Sequence, residues 1–191
     1  MQNKKLEKEF FKKDVLKTAE ELVGKLLCRK MENGEIIKLR ITETEAYKGI
    51  EDEACHARKG KTERNKVMWE EGGKIYVYLI YGMYWLLNIV TAEKDNPQAV
   101  LIRACENFNG PGKITKHLNI DKTFYGQDIA KNEIIWIEDD EYKGKIIKDK
   151  RININYAGEY YRDIPWRFID NTVTNKKVKK TNKKIHKYNN I

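Results

Sequence analysis

IYVYLIYGMYWLLNIV, residues 75–90, is the most apolar stretch of the chain and decides its fold. Aromatic and β-branched residues dominate on both sides of Tyr81-Gly82-Met83, which is typical of two strands joined by a tight turn. The pattern predicts an antiparallel hairpin with strands Ile75–Ile80 and Tyr84–Val90. After a turn at Asp95-Asn96-Pro97, a third strand is predicted for Ala99–Glu106.

Toward the N-terminus, the pattern predicts one helix and a second hairpin. Asp14 is placed to cap a helix that runs to about Leu26, with apolar residues at helical spacing. Strands are predicted for Leu26–Met31 and Glu35–Tyr47, because Asn33-Gly34 between them is a strong hairpin signal. Residues 48–73 are polar and charged, which predicts a long functional loop or a loop with a short helix.

Toward the C-terminus, the chain alternates breakers with short apolar runs. The cluster Asn109-Gly110-Pro111-Gly112 opens a predicted helix, Lys113–Leu118. Further short strands are predicted at Ile134–Ile137, Lys145–Ile147, Ile152–Ile154 and Trp166–Ile169. The expected architecture is a single α+β domain over residues 1–173, a mostly antiparallel curved sheet with an aromatic β-hairpin and flanking helices. Residues 174–191 are rich in Lys and Asn and are expected to form a basic, disordered tail.

Composition limits the classes of partner and site. The 191 residues carry a net charge of +9, which favours nucleic acid but also fits an ordinary lysine-rich surface. The three cysteines are widely spaced, so neither a zinc site nor a disulfide framework is indicated, and we expect no metal and no cofactor. With no secretory signal and no apolar run of about 18 residues, we expect a cytoplasmic protein that is not secreted and has no membrane partner.

Two carboxylates lie in the predicted strand that ends at Tyr47. With period-two alternation, Glu43, Glu45 and Tyr47 continue the face of Leu39 and Ile41. A carboxylate on a buried face is costly unless it has a partner or a task. The opposite arrangement, in which the Thr42 and Thr44 face is buried and the glutamates are solvated, is equally compatible with the pattern.

Arg103 lies within the apolar strand and is expected to need an anion. Glu43 or Glu45 could provide it, and such a pair would lower the pKa of the carboxyl and keep it ionised. An ionised carboxylate can hold and polarise a water molecule. A structural ion pair is the alternative interpretation.

Two further clusters suit nucleic acid. Tyr76 and Tyr78 share one face of the hairpin, and Tyr81 lies at its tip, where an exposed ring could wedge between bases. The loop His56–Lys66 is dense in cations and polar donors, which suits phosphate contacts. Ordinary β-core tyrosines and a solvated loop are the plainer interpretations.

Together these segments resemble the alkyladenine (3-methyladenine) DNA glycosylase family from about Phe10 to Ile169. The resemblance rests on an ordered series of motifs rather than on one. They are E-T-E-A-Y at 43–47, E-D-E-A with a following His at 51–56, T-x-R-N at 62–65, Y-V-Y-x-I-Y-G-M-Y at 76–84, Asn88, L-x-R-A at 101–104, G-P-G-K at 110–113, Y-A-G-E at 156–159 and P-W-R-F at 165–168.

The resemblance implies a role for each matching residue. Glu45 would be the general base for the attacking water, which Arg103 and the backbone carbonyl of Ile152 would also hold. Tyr81 would enter the gap left by the flipped nucleotide. The flipped base would be bound by Tyr47, Ala54, His56, Tyr78, Asn88 and Leu101, with Asn88 screening out normal guanine, and the DNA backbone by Thr62, Arg64, Asn65 and Lys113.

The expected activity is that of a monofunctional base-excision repair glycosylase. It would act as a monomer on double-stranded DNA that contains a damaged purine, at the nucleoid if the source is bacterial. The alternatives are a non-catalytic DNA- or RNA-binding protein, and a carbohydrate hydrolase that uses Glu43 and Glu45. The sequence departs from the family at Asn153 and Asn155, where the family tends to have small residues, and at Cys55 beside the pocket histidine.

Overall fold

The structure is a computed structural model and describes residues 3–172. The predicted tail, residues 174–191, lies outside the described residues. The helices are α1 (Lys8–Phe11), α2 (Val15–Leu22), α3 (Pro111–His117) and α4 (Glu159–Asp163). The strands are β1 (Lys4–Lys5), β2 (Leu26–Lys30), β3 (Ile36–Lys48), β4 (Ile75–Ile80), β5 (Tyr84–Thr91), β6 (Gln98–Cys105), β7 (Phe108–Asn109), β8 (Ile135–Asp139), β9 (Ile146–Asp149) and β10 (Arg167–Asp170).

The ten strands form one antiparallel sheet, which confirms the predicted α+β architecture. Its main order is β1-β8-β2-β3-β6-β5-β4, with β7 beside β6. The long strand β3 pairs with β2 along its first half, and β10 then pairs with its second half and in turn with β9. On its other side, the second half of β3 pairs with β6. The strands β3-β6-β5-β4 therefore form one half of the sheet, with β4 at its edge.

One face of the sheet forms the main hydrophobic core with α2 and α3. Val15, Ala19 and Leu22 of α2 are fully buried there. The helix begins as predicted, because the Asp14 side chain accepts a hydrogen bond from the Leu16 N–H at 2.9 Å. It ends at Leu22, earlier than the predicted Leu26, because Gly24 adopts a left-handed conformation with φ of +92° that turns the chain into β2.

The other face of the β3-β6-β5-β4 half is covered by the long segment 48–73. This segment contains two short 3₁₀ helices, His56–Lys59 and Lys66–Trp69. Their apolar residues join side chains of the sheet in a second cluster, which includes Tyr76 and has Tyr47 and Tyr78 packed against it. The sheet is thus covered on both faces, and the 48–73 segment supplies the second layer.

A β-bulge in β3 changes which residues face the main core. Pairing with β6 is irregular between Ile41 and Thr44. Ile41 lies in the main core before the irregularity, whereas Ala46 lies in it afterwards, and buried Thr44 donates to the Ala19 carbonyl of α2 at 2.8 Å. Strict alternation was therefore wrong for this strand: Glu45 and Tyr47 do not continue the face of Ile41. The bulge turns them toward the segment 48–73.

The predicted strand Ile152–Ile154 is also wrong. These residues form a bend between β9 and α4. The backbone here does not pair with a strand, because the Ile152 N–H donates to the Glu45 side chain. The other predicted strands and the helix after Gly110 are present within a few residues of the expected bounds.

Candidate active site

A row of four side chains crosses the covered face of the sheet. Tyr76 of β4 is paired with Asn88 of β5, Asn88 with Leu101 of β6, and Leu101 with Glu45 of β3. Residues directly opposite in adjacent strands lie on the same face. Four segments that are distant in sequence thus place an aromatic ring, an amide, an apolar spacer and a carboxylate side by side.

Glu45 is almost fully buried, with 1% of its surface exposed. One carboxylate oxygen accepts the Ile152 N–H at 2.9 Å, and the other accepts the Tyr47 hydroxyl at 2.9 Å. Burial raises the pKa of Glu45, and the hydrogen bonds from Ile152 and Tyr47 and the charge of Arg103 only partly oppose that rise. The expected net lowering by an arginine is therefore wrong, because desolvation dominates.

The structure separates the two candidate glutamates. Arg103 places Nε 3.5 Å from a Glu45 oxygen. Glu43 instead forms an ion pair with Arg167 of β10, at 2.9 Å. Arg103 keeps 17% of its side chain exposed, so the ion pair reaches the protein surface through Arg103.

A recess lies over this row, between the sheet and the 48–73 segment. It is lined by Tyr47, Ala54, Cys55, His56, Met68, Tyr76, Tyr78, Asn88, Ala99 and Tyr156. The lining is mostly aromatic and apolar with a few polar groups, as in sites for flat heteroaromatic ligands. Glu45 lies behind Tyr47, whose hydroxyl connects the two.

His56 is neutral near pH 7 in this setting. Burial, and to a smaller extent the charge of Arg64, lowers the pKa of His56 to about 4. Its Nδ1 lies 2.8 Å from the Tyr76 hydroxyl, and its ring contacts Tyr78 edge-on with centroids 4.6 Å apart. The imidazole is therefore held as an uncharged wall of the recess.

Two asparagines of the predicted site are buried. Asn88 donates to the carbonyls of Tyr76 and Leu86, at 3.1 and 3.3 Å, and lines the recess. Asn65 is only 3% exposed. Its amide group donates to the His56 carbonyl at 2.9 Å and accepts the Thr62 N–H at 2.7 Å, which argues against the predicted phosphate contact by this side chain.

The remaining predicted DNA-contacting residues lie on the surface. Tyr81, at the hairpin tip, is 79% exposed and has a left-handed φ of +53°. Arg64 donates to the Leu79 carbonyl at 3.2 Å and lies over the Tyr78 ring, which ties the loop to the hairpin. Thr62 and Lys113 are exposed.

Asn153 stands where the family tends to have a small residue, yet it adopts a backbone conformation that glycine favours. Its φ is +61°, in the left-handed region where glycine is favoured and asparagine is tolerated. The turn keeps Ile152 beside Glu45. Asn155 is exposed.

Sequence reasoning missed a buried ion pair behind the site. Arg151 and Asp52 have no exposed side-chain surface and form two hydrogen bonds, at 2.6 and 2.8 Å. Tyr156 was also missed as a pocket residue; its hydroxyl donates to the Ala54 carbonyl at 3.2 Å across the recess mouth. An arginine directly before the bend at Ile152, and a second acidic residue in E-D-E-A, were the available signals.

Cys55 lines the recess as a protonated thiol. Burial raises the pKa of Cys55 to about 12, which makes it a poor nucleophile. Among residues 3–172, no group of three His, Cys, Asp or Glu side chains is arranged to hold a metal ion. In the same range, no helix has the length and apolar character needed to cross a membrane.

Comparison with known proteins identifies the family of this chain. The family model for methylpurine-DNA glycosylase matches residues 9–109 and 106–174. A Borrelia garinii subsp. bavariensis protein is 48% identical over 85% of this chain and 94% of its own length. Proteins from Natranaerobius thermophilus and Clostridium novyi are 42% and 41% identical over 86% of this chain and 94% of theirs. All three carry the provisional name 3-methyladenine DNA glycosylase. The chain belongs to the methylpurine-DNA glycosylase family and is a DNA-repair hydrolase that cleaves N-glycosyl bonds.

Proposed function

We propose that this glycosylase flips an alkylated or deaminated purine out of double-stranded DNA and hydrolyses its N-glycosidic bond with a water molecule that Glu45 activates. The products are the free base and an abasic site. The observation that carries the proposal is the Glu45 carboxylate, buried behind an aromatic recess and held by Tyr47, Arg103 and Ile152.

Glu45 acts as the general base. Its raised pKa makes it a stronger base than an exposed carboxylate, and the Ile152 N–H, the Tyr47 hydroxyl and the charge of Arg103 favour its ionised form. The water oxygen bonds to the sugar carbon, its proton passes to Glu45, and the electron pair of the broken C–N bond leaves with the purine. The carboxylate also stabilises the oxocarbenium-like transition state. Arg103 and the Ile152 carbonyl hold the water.

The recess selects the base by shape and charge. Tyr47, Tyr78 and His56 form the walls, and electron-rich tyrosine faces favour a cationic alkylated ring. Asn88 meets the purine edge and screens out normal guanine, Leu101 shapes the floor, and Ala54 and the His56 backbone supply polar contacts. Because a neutral His56 adds no positive charge, it does not repel a cationic base.

The hairpin tip and the neighbouring loop hold the duplex. Tyr81 fills the space that the flipped nucleotide leaves, which offsets part of the cost of unstacking. Thr62, Arg64 and Lys113 contact the DNA backbone. We assign Asn65 a positioning role instead, because its amide is buried beneath His56.

The reaction ends at the abasic site, with no lyase step. The enzyme acts as a monomer on chromosomal DNA, which in a bacterium lies at the nucleoid. The polar partners of the Glu45 carboxylate among residues 3–172 are Arg103, Tyr47 and the Ile152 N–H, and none of them is a lysine. This arrangement supports attack by water rather than by a lysine amine. A non-catalytic nucleic-acid binder would gain nothing from a buried carboxylate beside the DNA phosphates.

A single-turnover cleavage assay tests the proposal. Duplexes with one methylated purine or one hypoxanthine are incubated, in EDTA, with wild type, Glu45→Gln or Glu43→Gln. Glu43→Gln is the matched control, because it removes a carboxylate from the same strand that is paired with Arg167. Wild type and the control should release free base, and Glu45→Gln should be slower by at least about 10²-fold while still binding damaged duplex. Base release by Glu45→Gln at the wild-type rate would contradict the general-base role.

A further inference from the structure

The Arg151–Asp52 ion pair lies directly behind Glu45 and has no part in the chemistry described so far. Both side chains have no exposed surface. Replacing a buried ion pair with well-packed apolar residues is often neutral or stabilising, so such a pair is weak evidence for a purely stabilising role. Its location suggests another reason for its presence.

Three contacts connect Arg151 to the groups around Glu45. Arg151 donates to the carbonyl of Ala46, the residue between Glu45 and Tyr47, at 2.9 Å. Its guanidinium lies over the Tyr47 ring, 4.9 Å from the ring centre. The next residue along the chain, Ile152, supplies the N–H that donates to Glu45 at 2.9 Å.

Asp52 fixes the orientation of the guanidinium. It accepts two hydrogen bonds from Arg151, at 2.6 and 2.8 Å, and also accepts the backbone N–H groups of Lys48 and Ala54, both at 3.0 Å. A bidentate arginine–carboxylate pair has a defined geometry that a lysine cannot reproduce. The pair therefore connects the recess loop, β3 and the bend at Ile152 at a single point.

We propose that Arg151 and Asp52 are positioning residues that hold the Glu45 carboxylate in its reactive orientation by fixing Tyr47 and the Ile152 N–H. The inference rests on the proposed role of Glu45 as general base. Because the Arg151 side chain has no exposed surface, we place it behind the reacting groups. Its effect passes through the two donors that hold the two oxygens of Glu45.

The test compares Arg151→Lys with Arg40→Lys. Arg40 is a matched control on the same strand: it forms a bidentate pair with Asp140, at 2.6 and 2.9 Å, donates to the Gly24 carbonyl and lies over the Tyr142 ring. The readouts are the maximal single-turnover rate on a methylated-purine duplex, the enzyme concentration giving half that rate, the pH dependence of the rate and the melting temperature.

Arg151→Lys should lower the maximal rate by about 10²-fold, because a catalytic group displaced by about 1 Å loses most of its efficiency. The half-saturating enzyme concentration should change by less than about threefold, because Tyr78 and His56 of the recess and the surface residues assigned to the DNA backbone are retained. Arg40→Lys should keep the wild-type rate. If Arg151→Lys does not fold, Asp52→Glu, which keeps the charge but displaces the guanidinium by one methylene, is subject to the same criteria.

The pH profile separates positioning from general destabilisation. The groups that act on Glu45 are Glu43 and Tyr47 of β3, Arg103 of β6, Tyr78 of β4, and Arg151 and Tyr156 of the following loop. Losing the hydrogen bond from the Ile152 N–H, which lowers the pKa of Glu45, should move the acid limb of the rate profile to higher pH. His56, with its pKa lowered to about 4, should titrate alike in both variants.

The outcomes distinguish the positioning role of Arg151 and Asp52 from the general-base role of Glu45. Wild-type rate and pH profile in folded Arg151→Lys or Asp52→Glu would overturn the positioning role while leaving the general-base proposal intact. A loss of rate matched by Arg40→Lys, in step with melting temperature, would also overturn it. Cleavage by Glu45→Gln at the wild-type rate would remove the general-base premise itself.

Discussion

At the scale of the residue, burial of Glu45 favours catalysis but lowers the stability of the fold. A carboxylate with 1% exposure loses much of its hydration, and the raised pKa of Glu45 measures that cost. Ionised Glu45 therefore destabilises the folded state relative to an exposed carboxylate. The same desolvation makes it a stronger base, so the property that serves catalysis has a thermodynamic cost.

Glu45→Gln should accordingly stabilise the fold near neutral pH, because it removes the cost of desolvating the carboxylate. Because the folded-state pKa of Glu45 is raised, its cost is fully present above that pKa and disappears as pH falls below the unfolded value, where both states are protonated. The gain should therefore be present at pH 7 and absent near pH 3. Urea unfolding of both proteins at the two pH values measures it. A variant less stable than wild type at pH 7 would contradict the sign of this argument.

The choice between Glu43 and Glu45 shows what residue patterns leave open. The two glutamates lie directly before and directly after Thr44, and by sequence alone Arg103 could have paired with either. The partner that removes Glu43 from consideration is Arg167, 124 residues away in sequence. Only the position of β10 beside β3 makes that pairing visible, and short-range patterns contain no information about it.

At the scale of the element, the hairpin of β4 and β5 and the Asp14 cap of α2 were predictable, because each depends on residues that are close in sequence. The face of β3 was not. Alternation holds only while pairing is regular, and the irregularity between Ile41 and Thr44 arises in the pairing with β6. The predicted strand Ile152–Ile154 was wrong for a related reason, because the Ile152 N–H donates to the Glu45 side chain rather than to a neighbouring strand.

The hairpin tip is the element most exposed to DNA in the proposed complex. Tyr81 and Met83 are 79% and 67% exposed, an arrangement that is costly in water unless the tip has a partner. Tyr81→Ser should weaken binding to a damaged duplex by about 10-fold or more, since stacking on one base contributes roughly 1–3 kcal/mol. The dissociation constant is measured with Glu45→Gln as the background, so that the duplex stays intact.

A matched change elsewhere provides the control for Tyr81. Ile36 is 48% exposed at the start of β3, beside the β2–β3 turn, in the half of the strand that pairs with β2 and not with β6. Ile36→Ser should leave damaged-DNA binding unchanged. Equal effects of the two substitutions, or none for Tyr81→Ser, would rule out a specific role for the tip.

At the scale of the whole molecule, the positive charge is unevenly distributed along the chain. Residues 174–191 contain seven lysines and no acidic residue, so the rest of the chain accounts for only about two of the nine excess positive charges. Several loop cations near the recess are also paired locally, Arg58 with Glu53 and Lys66 with Glu63. Long-range attraction to DNA therefore depends largely on the C-terminal lysines.

Ending the chain after residue 173 should weaken binding to undamaged duplex and flatten its salt dependence, because fewer counterions are released. If half or more of the seven lysines contact phosphates, the slope of log K against log salt should become less steep by roughly 3 to 6. The maximal single-turnover rate on damaged DNA should not change, because every group around Glu45 is retained. A full-length variant with the seven lysines replaced by glutamine separates charge from length and should match the shortened chain. An unchanged slope in both would place the phosphate contacts on the folded domain and leave the C-terminal lysines without a role in binding.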